Sequence, residues 1–533
     1  MSTILVFVRV VLILTRPIFQ IVLKYIYRIF MGRTKPVPPI SHKVLLMSAT
    51  DIADKIRKKQ LKCEDVMRAY INRIRLVEPY INAVVDERYD EALEDARRVD
   101  RFLESGEKTV AEIERDEPLL GVPFTCKESI GVKGLSQTAG IYEVKDRKAE
   151  NDSDAAGFYR AAGAIPVTVT NVPERCMWWD SANHIYGITK NPFDHSRTPG
   201  GSTGGEGALL TTGGAVIGIG SDVGGSIRMP SSFNGIYGHK PTAEVVSNVG
   251  KYPYHEVHSK KVDHISCTGP MCRYIEDLPL LLKILSENDQ RLQLENKVDF
   301  HKVKVYYIEE FPDIPADPAI KQAIRKAAHF FEEQYNIKAI PLKLPELKNA
   351  LDMWQCKLLE TDIPPFKLCL AHKDGKTNLL LELLKNIFHL SHHTLHLIYY
   401  SMIEIRERDQ RYYDLLRQYG VLEKKFQEIF KEDSVLLVPT HPEPPPFYHL
   451  TIPNLVNVGY TAIFNVLGFP ATTIPAGMCD GLPIGIQAVS GHFKDRLTIS
   501  TGMELDKLFG GWITPGIPNP MPAGTIAPVD RSR

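Results

Sequence analysis

Short apolar runs alternate with helical patterns along most of this 533-residue chain. The runs have the length of buried strands, and they lie at residues 119–126, 165–169, 216–219 and 435–438. Elsewhere apolar residues recur at helical spacing, as in Val66, Tyr70, Ile74 and Val77. This alternation is typical of one α/β domain whose helices cover a mixed or parallel sheet. Because no linker composition interrupts residues 48–520, we predict a single large domain there.

The composition excludes several classes of protein. Lys plus Arg and Asp plus Glu both number 64, so the formal net charge is zero. The chain therefore has no excess of basic residues with which to bind nucleic acid. It also lacks the acidic excess that is typical of a disordered chain. The 8 cysteines are scattered, and Cys267 and Cys272 have no second cysteine pair nearby to complete a zinc site. We therefore predict buried, reduced thiols and no nucleic-acid partner.

The N-terminus departs from this average composition. Residues 4–30 are strongly apolar, and they are interrupted by Arg9, Arg16, Gln20, Lys24 and Arg28. On a helical wheel these five side chains fall within one arc of about 120°, which is typical of a basic amphipathic helix at a membrane surface. We predict an N-terminal membrane-associated helix and linker over residues 1–35, with spanning and interfacial placements both open. The alternative is a helix that packs against the rest of the protein.

A second apolar stretch, residues 379–400, contains three histidines at helical spacing, His389, His393 and His396. Such spacing can bind a metal. No carboxylate or cysteine is placed in the sequence to complete a ligand set, so we predict no metal site. Two interpretations of the stretch stay open: a cap that faces a membrane or a substrate entrance, and an ordinary buried helix.

Glycine is concentrated in one segment. Eleven glycines lie between residues 200 and 225, and such density lets the backbone adopt positive φ and approach a ligand closely. The segment has no lysine where a P-loop needs one, and Val223 breaks a dinucleotide-binding fingerprint. Residues 200–204 match the G-x-S-x-G pattern around Ser202, but no apolar strand precedes them. A nucleophile elbow of the α/β-hydrolase type is therefore disfavoured.

Two serines embedded in these glycines, Ser202 and Ser226, have no obvious histidine partner. Lys127 follows the apolar run 119–126, and a desolvated lysine can act as the base for a serine nucleophile. Taken alone, a lysine at a strand end is more often a surface residue. The residues by themselves leave both interpretations of Lys127 open.

Together these segments resemble the amidase signature family. The resemblance covers about residues 48–515 and rests on the Lys127 strand and on TPGGSTGGEG (198–207), GSDVGGSIRMPSSFNGIYGHKPT (220–242), TGPMCR (268–273) and the run from FNVLGFPATTIPAG to GLPIGIQ (464–487). It implies one α/β/α catalytic domain around a large mixed sheet. It also implies a Ser–Ser–Lys triad that needs no metal or organic cofactor.

The resemblance also implies roles for individual residues. By motif position, Ser226 is the nucleophile, Ser202 is the bridging serine in a cis peptide, and Lys127 is the base. Backbone N–H groups are implied to form the oxyanion hole, and they belong to Val223, Gly224, Gly225 and Ser226.

Three neighbours of these residues complete the motif. Thr203 stands where the family usually has serine, and it keeps a hydroxyl group. Asp222 and Arg228 lie in the same loop. We predict that they form a buried pair that holds the loop, in preference to a contact with the transition state.

Within the family, residues 170–194 and the apolar N-terminus are most similar to the fatty-acid amide hydrolases. The resemblance therefore implies a lipid amide substrate, a membrane partner and a membrane location, with a homodimer left open. The alternatives are an amidase or esterase for small non-lipid substrates, and a membrane scaffold without catalytic activity. A tRNA-dependent amidotransferase subunit is disfavoured because the chain has an apolar N-terminus and no basic excess.

Overall fold

The computed structural model describes residues 35–253, 259–370, 378–405, 407–448 and 450–515. The membrane-associated helix predicted within residues 1–35 lies outside the described residues. Among the helices of the described ranges, none is both long enough and apolar enough to cross a bilayer. The segment that precedes the first α-helix packs on the domain, since Val37 and Val44 are buried in its core.

The strands of the described chain are β1 Val84–Glu87, β2 Pro123–Lys127, β3 Ile165–Thr170, β4 Ala182–Asn183, β5 Gly187–Ile188, β6 Ile217–Asp222, β7 Tyr237–Lys240, β8 Cys267–Cys272, β9 Lys304–Tyr307, β10 Ile340–Pro341, β11 Ser434–Pro439, β12 Ala471–Cys479 and β13 Leu482–Val489. Eleven of them form one sheet in the order β1-β3-β2-β6-β8-β7-β12-β13-β11-β9-β10, and β4 pairs with β5. The neighbours β3-β2-β6 and β11-β9-β10 are parallel. The remaining pairs are antiparallel, so the prediction of one α/β domain with a mixed sheet is confirmed.

The α-helices of the described chain are Ala49–Arg57, Cys63–Ile81, Tyr89–Ser105, Val110–Asp116, Asp154–Ala161, Gly204–Thr211, Arg228–Asn234, Lys260–Ile265, Leu278–Leu285, Pro318–Tyr335, Ala350–Leu359, Phe366–Cys369, Leu379–Ile387, Leu395–Ile403, Gln410–Ile429, Gly459–Val466 and Asp495–Phe509. Ser48 caps the first of them, because its side chain accepts a hydrogen bond from the Asp51 N–H. The strongly charged segment 105–117 contains the helix Val110–Asp116. Its capping box of Thr109 and Glu112 explains why so polar a segment is helical.

The apolar stretch 379–400 is not one helix. The helices Leu379–Ile387 and Leu395–Ile403 are separated by a turn in which His389 adopts a left-handed conformation, with φ 56°. The three histidines of the stretch therefore do not share one helix face, and in the described parts of the chain no group of three potential ligands could hold a metal ion. The buried-helix interpretation holds for the second helix only, since the first is largely exposed.

The helix Gly204–Thr211 packs against the strands β2, β3 and β6 of the sheet. Its Glu206 accepts hydrogen bonds from Thr125 of β2 and from Thr170 of β3, the latter at 2.8 Å. Burial raises the pKa of Glu206 to about 7. A side chain on Gly218 of β6 would overlap the Glu206 carboxyl group, so this strand needs glycine for the helix to approach. The helix and two parallel strands are thereby joined into one rigid unit.

The substitution Gly218→Ala is expected to destabilise the domain by about 1–3 kcal/mol, because overpacking displaces the buried Glu206. Gly420→Ala is the matched control, since a methyl group there meets nothing within 4 Å. Gly420 lies inside the helix Gln410–Ile429, where alanine is favoured over glycine by up to about 1 kcal/mol. Urea denaturation followed by circular dichroism measures both effects. Equal stability of Gly218→Ala and the natural protein would contradict this packing.

Candidate active site

Lys127 is the last residue of β2, and its side chain is buried, with 1% of the residue exposed. Its Nζ donates hydrogen bonds to Ser202 Oγ at 2.7 Å and to Ser221 Oγ at 2.9 Å. Desolvation by burial lowers the pKa of Lys127 from its ordinary value of 10.5. The surface interpretation of this lysine is therefore wrong, and its amine is placed to exchange a proton with a hydroxyl group.

Ser202 lies on the turn that leads into the helix Gly204–Thr211. Gly200 adopts a φ of 84°, and the peptide bond between Gly201 and Ser202 is cis, as the family resemblance implies. The Thr203 N–H donates to the Ser226 carbonyl oxygen at 3.2 Å. Ser202 is buried, whereas Ser226 is partly exposed. This backbone hydrogen bond joins the turn of Ser202 to the turn of Ser226, and the more accessible serine, Ser226, lies four residues after the end of β6.

The turn that follows β6 wraps around the side chain of Asp222. One carboxylate oxygen accepts a hydrogen bond from the Gly225 N–H at 2.7 Å, and the other accepts one from the Ile227 N–H at 3.1 Å. Gly225 has a φ of 127°, and a side chain there would overlap the Thr461 hydroxyl group. Gly225 therefore shapes the turn, but its N–H is already used by Asp222. The amides predicted to face an oxyanion are reduced to those of Val223, Gly224 and Ser226.

Three side chains hold the carbonyl groups of this turn from behind. Asn465 Nδ2 donates to the Asp222 carbonyl at 3.0 Å, Trp354 Nε1 donates to the Val223 carbonyl at 2.8 Å, and Thr461 Oγ1 donates to the Gly224 carbonyl at 2.6 Å. In a trans peptide unit the C=O and the following N–H point in opposite directions. These contacts therefore aim the N–H groups of residues 223 and 224 away from the supporting side chains. Such fixed donors are what stabilisation of an oxyanion requires.

Asp222 and Arg228 form a fully buried ion pair beneath the turn. The Arg228 Nε and Nη2 donate to the two oxygens of Asp222, each at 3.0 Å. The remaining guanidinium hydrogens reach Thr461 O, Gln487 Oε1 and Asn465 Oδ1. Burial alone would raise the pKa of Asp222, but the Arg228 charge holds it well below its usual range. The prediction that this pair holds the loop is confirmed.

Sequence reasoning missed several supports of the site. Ser221, Asn465 and Gln487 lie inside motifs that carry the family resemblance, so the motifs contained the signal. Trp354 lies on the helix Ala350–Leu359, outside those motifs. Only the three-dimensional packing of this helix against the glycine turn reveals its contact with Val223.

Comparison with known proteins agrees with this geometry. The family model described as Amidase matches residues 65–499. The chain is 38% identical to Fatty-acid amide hydrolase 2-A of Danio rerio over 90% of its length and 92% of that protein. It is 37% identical to Fatty-acid amide hydrolase 2 of Homo sapiens over 91% of its length and 93% of that protein. The chain therefore belongs to the amidase signature family, and it is an amidase-family hydrolase.

The fold is also similar to solved structures. A structure titled Fatty acid amide hydrolase superposes with a TM-score of 0.72 at 21% identity, and the match covers 89% of this chain and 87% of that one. Another, titled Crystal structure of amidase, gives a TM-score of 0.69 at 20% identity, covering 87% of this chain and all of that one. At such identities the likeness establishes the shared fold.

The substitution Arg228→Gln is expected to cost about 3–5 kcal/mol of unfolding free energy, because it leaves the Asp222 carboxylate buried without its cation. The matched control is Arg325→Gln, which breaks a surface pair with Glu309, where Arg325 is 62% exposed. Exposed pairs contribute about 0–1 kcal/mol. Urea denaturation of both variants measures the difference. A loss of similar size in the two variants would show that the Asp222 pair does not hold the turn.

Proposed function

We propose that this chain hydrolyses fatty acid amides to a free fatty acid and an amine, through an acyl-enzyme on Ser226. The contact of 2.7 Å between the buried Lys127 amine and Ser202 Oγ is the observation that carries the proposal. Identity of 37–38% to fatty-acid amide hydrolases over about nine-tenths of the chain supports the choice of substrate class.

In the acylation step, Ser226 Oγ attacks the amide carbonyl carbon while its proton passes to Ser202. Ser202 at the same time gives its own proton to the neutral Lys127 amine. The tetrahedral oxyanion is held by the N–H groups of Val223 and Gly224, whose directions are fixed by Asn465 and Trp354. When the C–N bond breaks, the proton returns from Lys127 through Ser202 to the amine leaving group.

In the deacylation step, a water molecule takes the place of the departed amine. It attacks the acyl carbon of the Ser226 ester, and its proton passes through the same relay to Lys127. The collapse of the second tetrahedral intermediate releases the fatty acid and restores the Ser226 hydroxyl group. Every proton that leaves a nucleophile returns to a leaving group, so the chain's own side chains suffice for the cycle.

An exposed apolar surface supports access from a membrane. It lies on the helix Leu379–Ile387 and the turn after it, and its side chains are between 54% and 72% exposed: Leu380, Leu384, Ile387, Phe388 and Leu390. A patch of large apolar side chains on a solvent-exposed surface is typical of an interaction site. We assign it to a lipid bilayer, because the substrate partitions there and residues 4–30 are themselves apolar and basic.

Ser226→Ala is expected to abolish both the release of oleate from an oleoyl amide and covalent labelling by a fluorophosphonate probe. Ser232→Ala, which removes another buried serine hydroxyl six residues further on, is the control and should retain both. Mass spectrometry of the released acid and of the labelled peptide measures the outcome. Turnover that persists in Ser226→Ala would overturn the nucleophile assignment. A rate that does not rise with acyl-chain length would instead favour an amidase for small substrates.

The pH dependence tests the base. Because only neutral Lys127 accepts a proton, kcat/KM should rise with pH through a pKa below 10.5 and then level off. Lys127→Arg places a permanently protonated guanidinium there, which cannot accept a proton, so it should lower the rate by at least about 100-fold. Lys321→Arg, at a surface lysine that pairs with Glu310, is the control and should leave the profile unchanged. A natural pH profile in Lys127→Arg would contradict the assignment.

A further inference from the structure

Three histidines in residues 392–396 each meet a carboxylate on the body of the domain. The pairs, with their N–O distances, are His393–Glu174 (2.8 Å), His396–Asp180 (3.3 Å) and His392–Glu143 (3.7 Å). The first two pairs are buried, and the third lies at the surface. We call the first two pairs the latch. It joins the segment 379–403, two helices and the turn between them, to the loop 174–180.

The latch is reinforced by hydrogen bonds and by ring stacking. Glu174 also accepts from the Thr394 N–H at 2.7 Å and from the Thr394 hydroxyl at 2.9 Å, so its charge lies at the N-terminus of the helix Leu395–Ile403. Trp178 stacks on His396, with ring centroids 5.1 Å apart. The loop and the helix are therefore held at both ends of the 174–180 segment.

The loop 174–180 also packs against the turn that contains Ser202. A side chain on Gly201 would come within 2.7 Å of the Trp178 carbonyl oxygen and 2.8 Å of the Trp179 Cα. The backbone of the loop thus lies directly against the residue before Ser202. Arg175 and Cys176 both adopt left-handed conformations, with φ 56°, which non-glycine residues hold only when their surroundings enforce it. The conformation of this loop therefore depends on the contacts that surround it.

We infer that His393 and Glu174 are positioning residues that transmit contact between the segment 379–403 and a lipid surface to the peptide of Ser202. The inference rests on the proposed function, because it gives the apolar surface of that segment a consequence at the site. The exposed apolar side chains lie on the segment 379–403. The latch joins this segment to the loop 174–180, and the Trp178–Trp179 backbone of that loop lies against Gly201. Contact of the segment with lipid thereby sets the geometry at the peptide of Ser202.

Charge on His393 contributes to the latch. Burial opposes that charge, but the hydrogen bond with Glu174 and the nearby carboxylates raise the pKa of His393. The titratable or charged groups around the pair are Glu143, Glu382, His184, His392 and Lys385. Because the folded-state pKa is raised, the stabilisation is complete below the ordinary histidine value of 6.5 and is lost as pH rises through the raised pKa.

Hydrogen–deuterium exchange of the full chain, with and without phosphatidylcholine vesicles, tests the inference without using amide turnover. In the natural protein at pH 6, vesicles should slow exchange in both residues 379–396 and residues 174–180. In His393→Gln, which keeps a neutral donor, only residues 379–396 should respond. His329→Gln is the control, because this exposed histidine pairs only with surface glutamates in the described residues, and it should behave as the natural protein.

Two results would overturn the inference: no response of residues 174–180 in the natural protein, or the same response in His393→Gln. Raising the pH to 9 in the natural protein should weaken the response of residues 174–180, which tests the latch without any substitution.

If the chain hydrolyses amides as proposed, His393→Gln should also raise KM for a long-chain amide by about tenfold. The rate on a short-chain amide should change less than about twofold, since that substrate does not use the lipid surface. Equal losses on both substrates would count against coupling.

Discussion

The buried ion pair between Asp222 and Arg228 is the contact on which the rest of the site depends. Burying two charged groups away from water costs free energy. The pair persists here because every polar atom of the Asp222 carboxylate and the Arg228 guanidinium has a hydrogen-bond partner. The Asp222 carboxylate fixes the amides of Gly225 and Ile227, while Arg228 reaches the helix Gly459–Val466 and β13. The Asp222–Arg228 pair thus joins the glycine turn to a helix and a strand from the C-terminal part of the chain.

Much of the fold could be predicted from local patterns. Apolar runs marked β2, β3, β6 and β11 to within a few residues, because strands buried on both faces read as continuous hydrophobic sequence. The family motifs predict a site at Lys127, Ser202 and Ser226. In the structure Lys127 donates a hydrogen bond to Ser202, and the Ser226 carbonyl accepts one from the Thr203 N–H. These elements are specified by short stretches of sequence, so their recognition needs no knowledge of long-range packing.

Other features depend on contacts between distant segments. No pattern around Trp354 signals a hydrogen bond with Val223, since the two residues are brought together only by helix packing. His389, His393 and His396 have helical spacing, yet the turn at His389 ends one helix before the next begins. The partners of His393 and His396 are carboxylates more than 200 residues earlier in the chain, which sequence spacing cannot reveal. The Gly225 N–H donates to the Asp222 carboxylate, and the spacing of the glycines does not reveal this acceptor because it depends on the fold of the turn.

The outer strands of the described sheet have a consequence for how the protein associates. β1 has four residues and includes Asp86 and Glu87, while β10 has two residues and ends at Pro341, which has no N–H to donate. Edge strands that are short, charged or ended by proline are poor templates for strand addition by another chain. A wide sheet can therefore form without inviting open-ended polymerisation, and a second copy would meet this domain through helices and loops rather than by continuing its sheet.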